Sequence, residues 1–332
     1  MKLEDIGFYT LSDYRAENTT VNSQMMRCEM IINEYCNFKC PYCKGLATQI
    51  FAHRKRKELS TEEIKRNIDL WCDGEPLKNI RFSGGEPTYH KGLIEAVSYA
   101  KTKGIERIAI STNGSNDPLM YDALLKAGCN DFSISLDAAD ATTGDKMAGN
   151  IRGAWARVVN NIQRLSELTY VTVGVVLEPE NIKRFVDIVE FASGLGVADI
   201  RVIPSAQWNG QLLELAQIDK GILEKHPILR YRVQNFIDGK RIRGLTGNDP
   251  KSCPLVLDDS VIAGNNHYPC VIYMREQGEP IGKVNSNMRQ ERLNWFEQTD
   301  THCDPICRAN CLDVCVDFNK KAQRALMARC AT

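Results

Sequence analysis

An α/β fold built on a parallel sheet is predicted by three observations. Short apolar runs of strand length alternate with helical stretches from residue 27 to about residue 204, as βα units do. Six such strands are counted. The rhythm stops after Pro204, and seven of the 13 cysteines then fall between Cys253 and Cys330. So many thiols among so few apolar runs suggest a small domain organised by metal rather than by a large core. The chain of 332 residues is therefore divided into a lead-in over 1–26, an α/β domain over 27–204, a mixed polar and helical connector over 205–245 and a cysteine-rich domain over 246–332.

The first apolar run is Cys28–Ile32. The next element is a helix over Ser60–Cys72, where Ser60 and Glu63 form a capping-box start. Strand Ile80–Phe82 leads to a helix near Leu93–Lys103, and strand Arg107–Ser111 to a helix near Leu119–Ala127. Strand Phe132–Leu136, helix Ala154–Leu168, strand Tyr170–Leu177, helix Ile182–Gly194 and strand Asp199–Ile203 complete the series.

Composition sets the bounds on function. Hydrophobic residues make up 43% and charged residues 25%, the values of an ordinary globular protein. Lys and Arg total 42 against 42 Asp and Glu, so no net charge draws the chain to nucleic acid or an anionic membrane. The opening MKLEDIGFYT is not a signal peptide, and no apolar run approaches a membrane span. The expected location is cytoplasmic, where clustered thiols serve as metal ligands or catalytic groups rather than as disulfides.

Cys36, Cys40 and Cys43 lie in CNFKCPYC, directly after the first strand. On this spacing three thiolates grip a metal centre from one side. They suit part of a zinc site, with His53 the one near candidate for a fourth ligand, or an iron-sulfur cluster with one iron left open.

CxxxCxxC with an aromatic residue, here Tyr42, before the last Cys resembles the signature of the radical S-adenosylmethionine (radical SAM) superfamily. The resemblance implies a partial (β/α)6 TIM-like barrel with a 4Fe-4S cluster on Cys36, Cys40 and Cys43. It also implies that the open iron binds S-adenosylmethionine, whose reductive cleavage yields a 5'-deoxyadenosyl radical that abstracts hydrogen from substrate. SGGEP, Ser83 to Pro87, resembles the family's GGE motif, in which Gly84 and Gly85 let backbone approach the methionyl group and Glu86 accepts from its ammonium. Ser111 and Asn113 in STNG, with Ser135 and Asp137 in SISLD, stand at strand ends that line the site in such a barrel. Read alone, GGEP is a tight turn and the polar residues are caps or turn residues.

The later cysteines resemble the SPASM extension of these enzymes. Cys253, Gly264 and Cys270 fit its first element; Cys303, Cys307, Cys311, Cys315 and Cys330 follow. The family usually spaces its second element by two, five and three residues, whereas all three gaps here are three. The family's pairing would give one auxiliary 4Fe-4S cluster Cys253, Cys270 and Cys315, with an open iron or Asp249 completing it. A second would take Cys303, Cys307, Cys311 and Cys330. A single-cluster Twitch version and a zinc-bound domain are the alternatives. Cys28, Cys72 and Cys129 read as packing residues, and His90, His267 and His302 as loop residues or supports behind ligands.

SPASM-type relatives most often modify peptides, so a peptide substrate is the first expectation. A small molecule such as a sugar, nucleoside or antibiotic precursor is the second, and a non-catalytic metal-stabilised binding module the third. The expected partners are the substrate and an electron donor such as flavodoxin or ferredoxin, which the basic run His53 to Lys57 would suit unless it is only a solvated loop.

Overall fold

The computed structural model describes residues 13–43, 57–205 and 217–330, with the side chain of Cys330 excepted. His53, and the basic run up to residue 56, lie outside the described residues.

Among the described residues one sheet has the order β6-β5-β4-β3-β2-β1-β7-β8-β9. Its strands are β1 Arg27–Asn33, β2 Asn79–Gly84, β3 Arg107–Thr112, β4 Asp131–Ser135, β5 Tyr170–Leu177, β6 Asp199–Pro204, β7 Asp259–Ala263, β8 Asn266–Tyr268 and β9 Gly282–Lys283. From β6 to β7 every neighbouring pair is parallel, and β7, β8 and β9 run antiparallel. The sheet does not close on itself, so the architecture is the expected partial barrel. Each of the six expected strands forms within a residue or two of its predicted bounds.

The capping box is present: Ser60 Oγ accepts from the Glu63 amide (3.2 Å) and Glu63 returns Oε2 to the Ser60 amide (2.7 Å), starting the helix Thr61–Trp71. Strand residues Met30, Ile32, Ile80, Phe82, Ile110 and Phe132 are fully buried in one apolar cluster with helix residues such as Ile64, Ile68, Leu93 and Val97. Many of the alternate strand positions are polar, among them Glu29, Arg81, Ser111, Asp131, Ser133, Thr172 and Arg201. Because side chains alternate across a strand, these positions share the opposite, inner face. Hydrogen bonds across neighbouring strands agree, from Arg81 Nη1 to Ser111 Oγ (2.9 Å) and from Ser83 Oγ to Glu29 Oε1 (2.9 Å). A parallel sheet buried on both faces by helices reads as continuous apolar runs; this one has a polar interior.

The expectation that the alternation of strands and helices, which stops after Pro204, does not return later in the chain is corrected. β7 extends the sheet on the free side of β1, in register from Arg27 opposite Asp259 to Ile31 opposite Ala263. Pairing there covers donors and acceptors that β1 would otherwise leave open. Helices Val271–Arg275, Met288–Gln298, Pro305–Asn310 and Asp313–Cys330 follow. Helices Ala141–Met147, Lys220–Lys225 and Pro227–Ile237 also form.

Buried charge ties this later region to the barrel. Arg27 forks onto both carboxylate oxygens of Asp259 (2.8 and 2.7 Å), and Arg15 pairs with Asp258. Arg292 is fully buried and donates to the carbonyls of Val256 (2.8 Å), Tyr268 (2.8 Å), Pro269 (3.1 Å) and Asp259.

Candidate active site

The loop carrying Cys36, Cys40 and Cys43 leaves the C-terminal end of β1 and is stitched to the loop after β2. The Gly85 amide donates to the Asn33 carbonyl (2.9 Å), the Glu86 amide to the Tyr35 carbonyl (2.6 Å), and Asn33 Nδ2 to the Glu86 carbonyl (3.0 Å). The close approach explains both glycines. A Cβ on Gly85 would lie 2.2 Å from the Tyr35 carbonyl oxygen, and one on Gly84 2.4 Å from Asn33 Oδ1. In this structure they let two protein loops meet.

Glu86 is fully buried. Its Oε1 accepts from Thr88 N (3.1 Å), Thr88 Oγ1 (2.7 Å) and Thr112 Oγ1 (2.6 Å), and its Oε2 from Asn113 N (2.6 Å). Burial raises its pKa against the pull of these four donors. In this structure Glu86 braces β2 against β3. Asn113, so held, donates Nδ2 to Asn37 Oδ1 (2.8 Å) and faces Cys36 Sγ at 3.8 Å.

On the other side of the loop, Tyr42 donates its hydroxyl to Asp137 Oδ2 (2.6 Å), and Asp137 Oδ1 accepts from the Val176 amide (2.7 Å). Burial pushes Asp137 up to about 6. Ser135 is exposed at the end of β4. Ser111 accepts from Arg81 Nη1 (2.9 Å) and so joins the inner polar network.

Cys36, Cys40 and Cys43 are all free thiols, and Cys43 is exposed. Burial pushes Cys40 up to about 12, helped by the charge of Asp137, and raises Cys36 as well. Thiols in this environment stay protonated until a bound cation displaces the proton. A soft metal centre reached from the exposed Cys43 side fits the donor set.

The later cysteines gather differently from their expected pairing. Cys253, Cys270, Cys307, Cys311 and Cys315 line a single cavity with apolar neighbours including Trp295. The interleaved assignment had placed Cys307 and Cys311 with Cys303 and Cys330. Cys303 is exposed and outside that lining, and the Cys330 side chain is not among the described ones. Asp249 is engaged elsewhere, by Lys320 (2.7 Å) and by Thr246. Burial pushes Cys253 up to about 11 and raises Cys270 and Cys307 further.

His90, His267 and His302 make contacts that hold the fold. His90 bridges the Leu59 carbonyl (2.7 Å) and the Gly92 amide (3.1 Å), His267 meets Glu291 (2.7 Å), and His302 meets the Asp249 carbonyl (3.0 Å). Sequence reasoning missed the charged inner wall formed by Glu29, Arg81 and Asp131, with Arg243 beyond it. A period of two within the strands was the available signal.

Residues 30–192 match the family model described as the radical SAM superfamily. Among curated proteins, the chain is 32% identical over 182 residues to molybdenum cofactor biosynthesis protein 1 of Drosophila melanogaster, covering 54% of this chain and 31% of that one. It is 30% identical over 195 residues to GTP 3',8-cyclase of Marinobacter nauticus, covering 58% and 56%. The chain thus spans between about a third and about half of these relatives' lengths. Streptococcus suis SuiB bound to precursor peptide SuiA matches with TM-score 0.56 at 15% identity, over 90% of this chain and 69% of that one. The anSMEcpe structure with bound AdoMet matches with TM-score 0.57 at 13% identity, over 92% and 94%. At such identities the structural likeness speaks for the fold.

Proposed function

The chain belongs to the radical SAM superfamily, whose enzymes bind a 4Fe-4S cluster and S-adenosylmethionine, and we propose that it abstracts hydrogen from a small polar molecule held inside the open barrel. Cys36, Cys40 and Cys43 are the residues that would hold the cluster. When bound, the cluster supplies the electron that cleaves S-adenosylmethionine to methionine and a 5'-deoxyadenosyl radical. The chain's own residues position the site. Glu86 and Asn113 brace one side of the cysteine loop, Tyr42 and Asp137 the other, and Ser135 offers a hydroxyl at the mouth.

The observation that carries the small-molecule reading is the inner wall, where charged and hydroxyl side chains take many of the places that apolar layers would fill in a packed barrel. Such a wall suits a compact polar substrate. The names of the curated relatives, a GTP cyclase and a molybdenum cofactor biosynthesis protein, point the same way. The peptide expectation rested on the SPASM resemblance, which lies beyond the 30–192 match. The five thiols of the second cavity support one auxiliary cluster. An external reductant is required, and a flavodoxin or ferredoxin is the proposed donor.

The test is anaerobic reconstitution followed by S-adenosylmethionine and dithionite, with 5'-deoxyadenosine read by mass spectrometry. About eight irons per chain and deoxyadenosine are expected, with turnover raised by the low-molecular-weight ultrafiltrate of a cell extract. Stimulation by the peptide fraction alone would overturn the substrate class, and absence of deoxyadenosine would overturn the chemistry.

A further inference from the structure

Helix Asp313–Cys330 brings two kinds of side chain to the second cysteine cavity. Cys315 and Asn319 stand one turn apart on the same face, and both line the cavity. Cys315 supplies a thiol. Asn319 is 5% exposed, and its side-chain amide is used at both ends. Its Oδ1 accepts from the Leu255 amide (2.9 Å), and its Nδ2 donates to Cys253 Sγ (3.3 Å). The Leu255 amide can donate only to the oxygen end, which fixes the orientation of the side chain and leaves the nitrogen facing the sulfur.

The amide therefore ties the loop of Cys253 to the helix that bears Cys315, two thiols far apart in sequence. Cys270, across the same cavity, takes its N–H from the backbone, from the Tyr273 amide (3.4 Å). At Cys253 a side chain does this work. The surrounding wall is largely apolar, with Leu245, Leu255, Ile272, Trp295 and Ile306 among its residues. A leucine in place of Asn319 would fill nearly the same space, whereas an amide in such a wall is unfavourable unless its hydrogen bonds are made. Here both ends are bonded.

An N–H aimed at sulfur in an apolar, water-poor cavity acts strongly, because little solvent screens it. Reduction of an iron-sulfur cluster places part of the added negative charge on its thiolate sulfurs. A donor to one of them stabilises the reduced state and moves the potential upward.

We propose that Asn319 is a positioning residue that holds Cys253 for a cluster in the second cavity and raises the reduction potential of that cluster through its Nδ2–H to Sγ bond. The inference rests on the reading of one auxiliary cluster in this cavity.

The experiment is a redox titration of the full chain carrying C36A, C40A and C43A, reconstituted with iron and sulfide, so that electron paramagnetic resonance reads the cavity centre alone. About four irons per chain are expected. At the midpoint potential of this parent, adding N319L should lower the ratio of reduced to oxidised centre about tenfold, a midpoint more negative by about 59 mV, with the iron retained. An unchanged midpoint in iron-loaded N319L would overturn the proposal. A second reading needs no variant at Asn319. The parent, grown with asparagine carrying nitrogen-15 in its side-chain amide, should show a nitrogen-15 coupling in the pulsed resonance of the reduced centre, and absence of that coupling would also overturn it. A parent that loads no iron sinks the auxiliary-cluster reading and the role of Asn319 with it; iron present without the shift or the coupling sinks Asn319 alone.

Discussion

One apolar cluster runs through both sides of the sheet, from Met30 and Phe132 to Ile262 and Phe318, but the side beyond β1 adds further buried polar contacts and thiols to it. From β1 to β6, outward apolar side chains pack under helices in one dry cluster, and burial of that area is the dominant stabilising term. From β7 onward the contacts to the barrel include buried ion pairs, the Arg292 fan onto four carbonyls and a cavity lined by five thiols. The first region is stable through packing and carries its chemistry on loops. In the second, the groups that bind are also groups that hold the fold.

The sharpest way to test that contrast is to remove one cysteine from each region. C40A should abolish deoxyadenosine formation, by at least about a hundredfold, because a three-thiol grip has no spare ligand. Its melting temperature should stay within a few degrees of the wild-type apo protein, since the loop lies outside the apolar cluster. C270A should lose about four irons and still cleave S-adenosylmethionine. Equal loss of turnover in both variants would break the division between the centres.

The next largest effect is expected at Arg292. R292M keeps the apolar stem but strands the carbonyls of Val256, Tyr268, Pro269 and Asp259 without their donor. Several buried acceptors lost together should cost more than about 4 kcal/mol, a fall in melting temperature on the order of 10 °C. The hairpin's amides should exchange first in a hydrogen-exchange experiment. Exchange beginning instead in β3 or β4 would show that the later region is not held by this fan.

Glu86 offers a smaller effect on the barrel side. E86Q places an NH2 group where Thr88, Thr112 and Asn113 all donate, so at least one donor loses its acceptor. About 2 kcal/mol of stability should be lost, together with weaker S-adenosylmethionine binding as Asn113 shifts. A dissociation constant unchanged in a destabilised variant would confine Glu86 to the fold.

How much of this was legible in the sequence follows the same divide. The six strands and the capping box at Ser60 and Glu63 were readable because packing under helices imposes an apolar rhythm on local sequence. The three-cysteine loop was readable because its ligands are contiguous. The later region was not. β7 is the short run DSVIA, which is a strand only because the edge of β1 is there to receive it. Cysteines counted as ligands also concealed the helical register of Asp313–Cys330, where Phe318 and Ala322 are fully buried. The grouping of thiols depended on tertiary contacts such as Gly244 to Cys311, which no spacing rule contains. Arg243 was overlooked because it stands in the connector, where no strand or helix rhythm marks it.

The smallest expected effect is a pH dependence that belongs to the later region alone. His267 on β8 is fully buried between Glu291 and Arg292. Burial first, and then the Arg292 charge, lower its pKa to about 4, against the hydrogen bond to Glu291. The folded-state value lies below the ordinary value near 6.5, so the unfolded chain binds this proton more readily. Stability from His267 is therefore complete above about pH 6.5 and lost as pH falls toward 4. Between pH 7 and 6 the loss should be about 0.7 kcal/mol, read as a change in urea midpoint. In H267Q this part of the acid slope should vanish, while the slope contributed by the barrel carboxyls Asp137 and Asp199 runs in the opposite sense. Both are raised to about 6, so their ionisation disfavours the fold as pH rises through that value. A wild-type profile unchanged by H267Q would mean that Glu291 takes up the charge and that His267 is held by geometry alone.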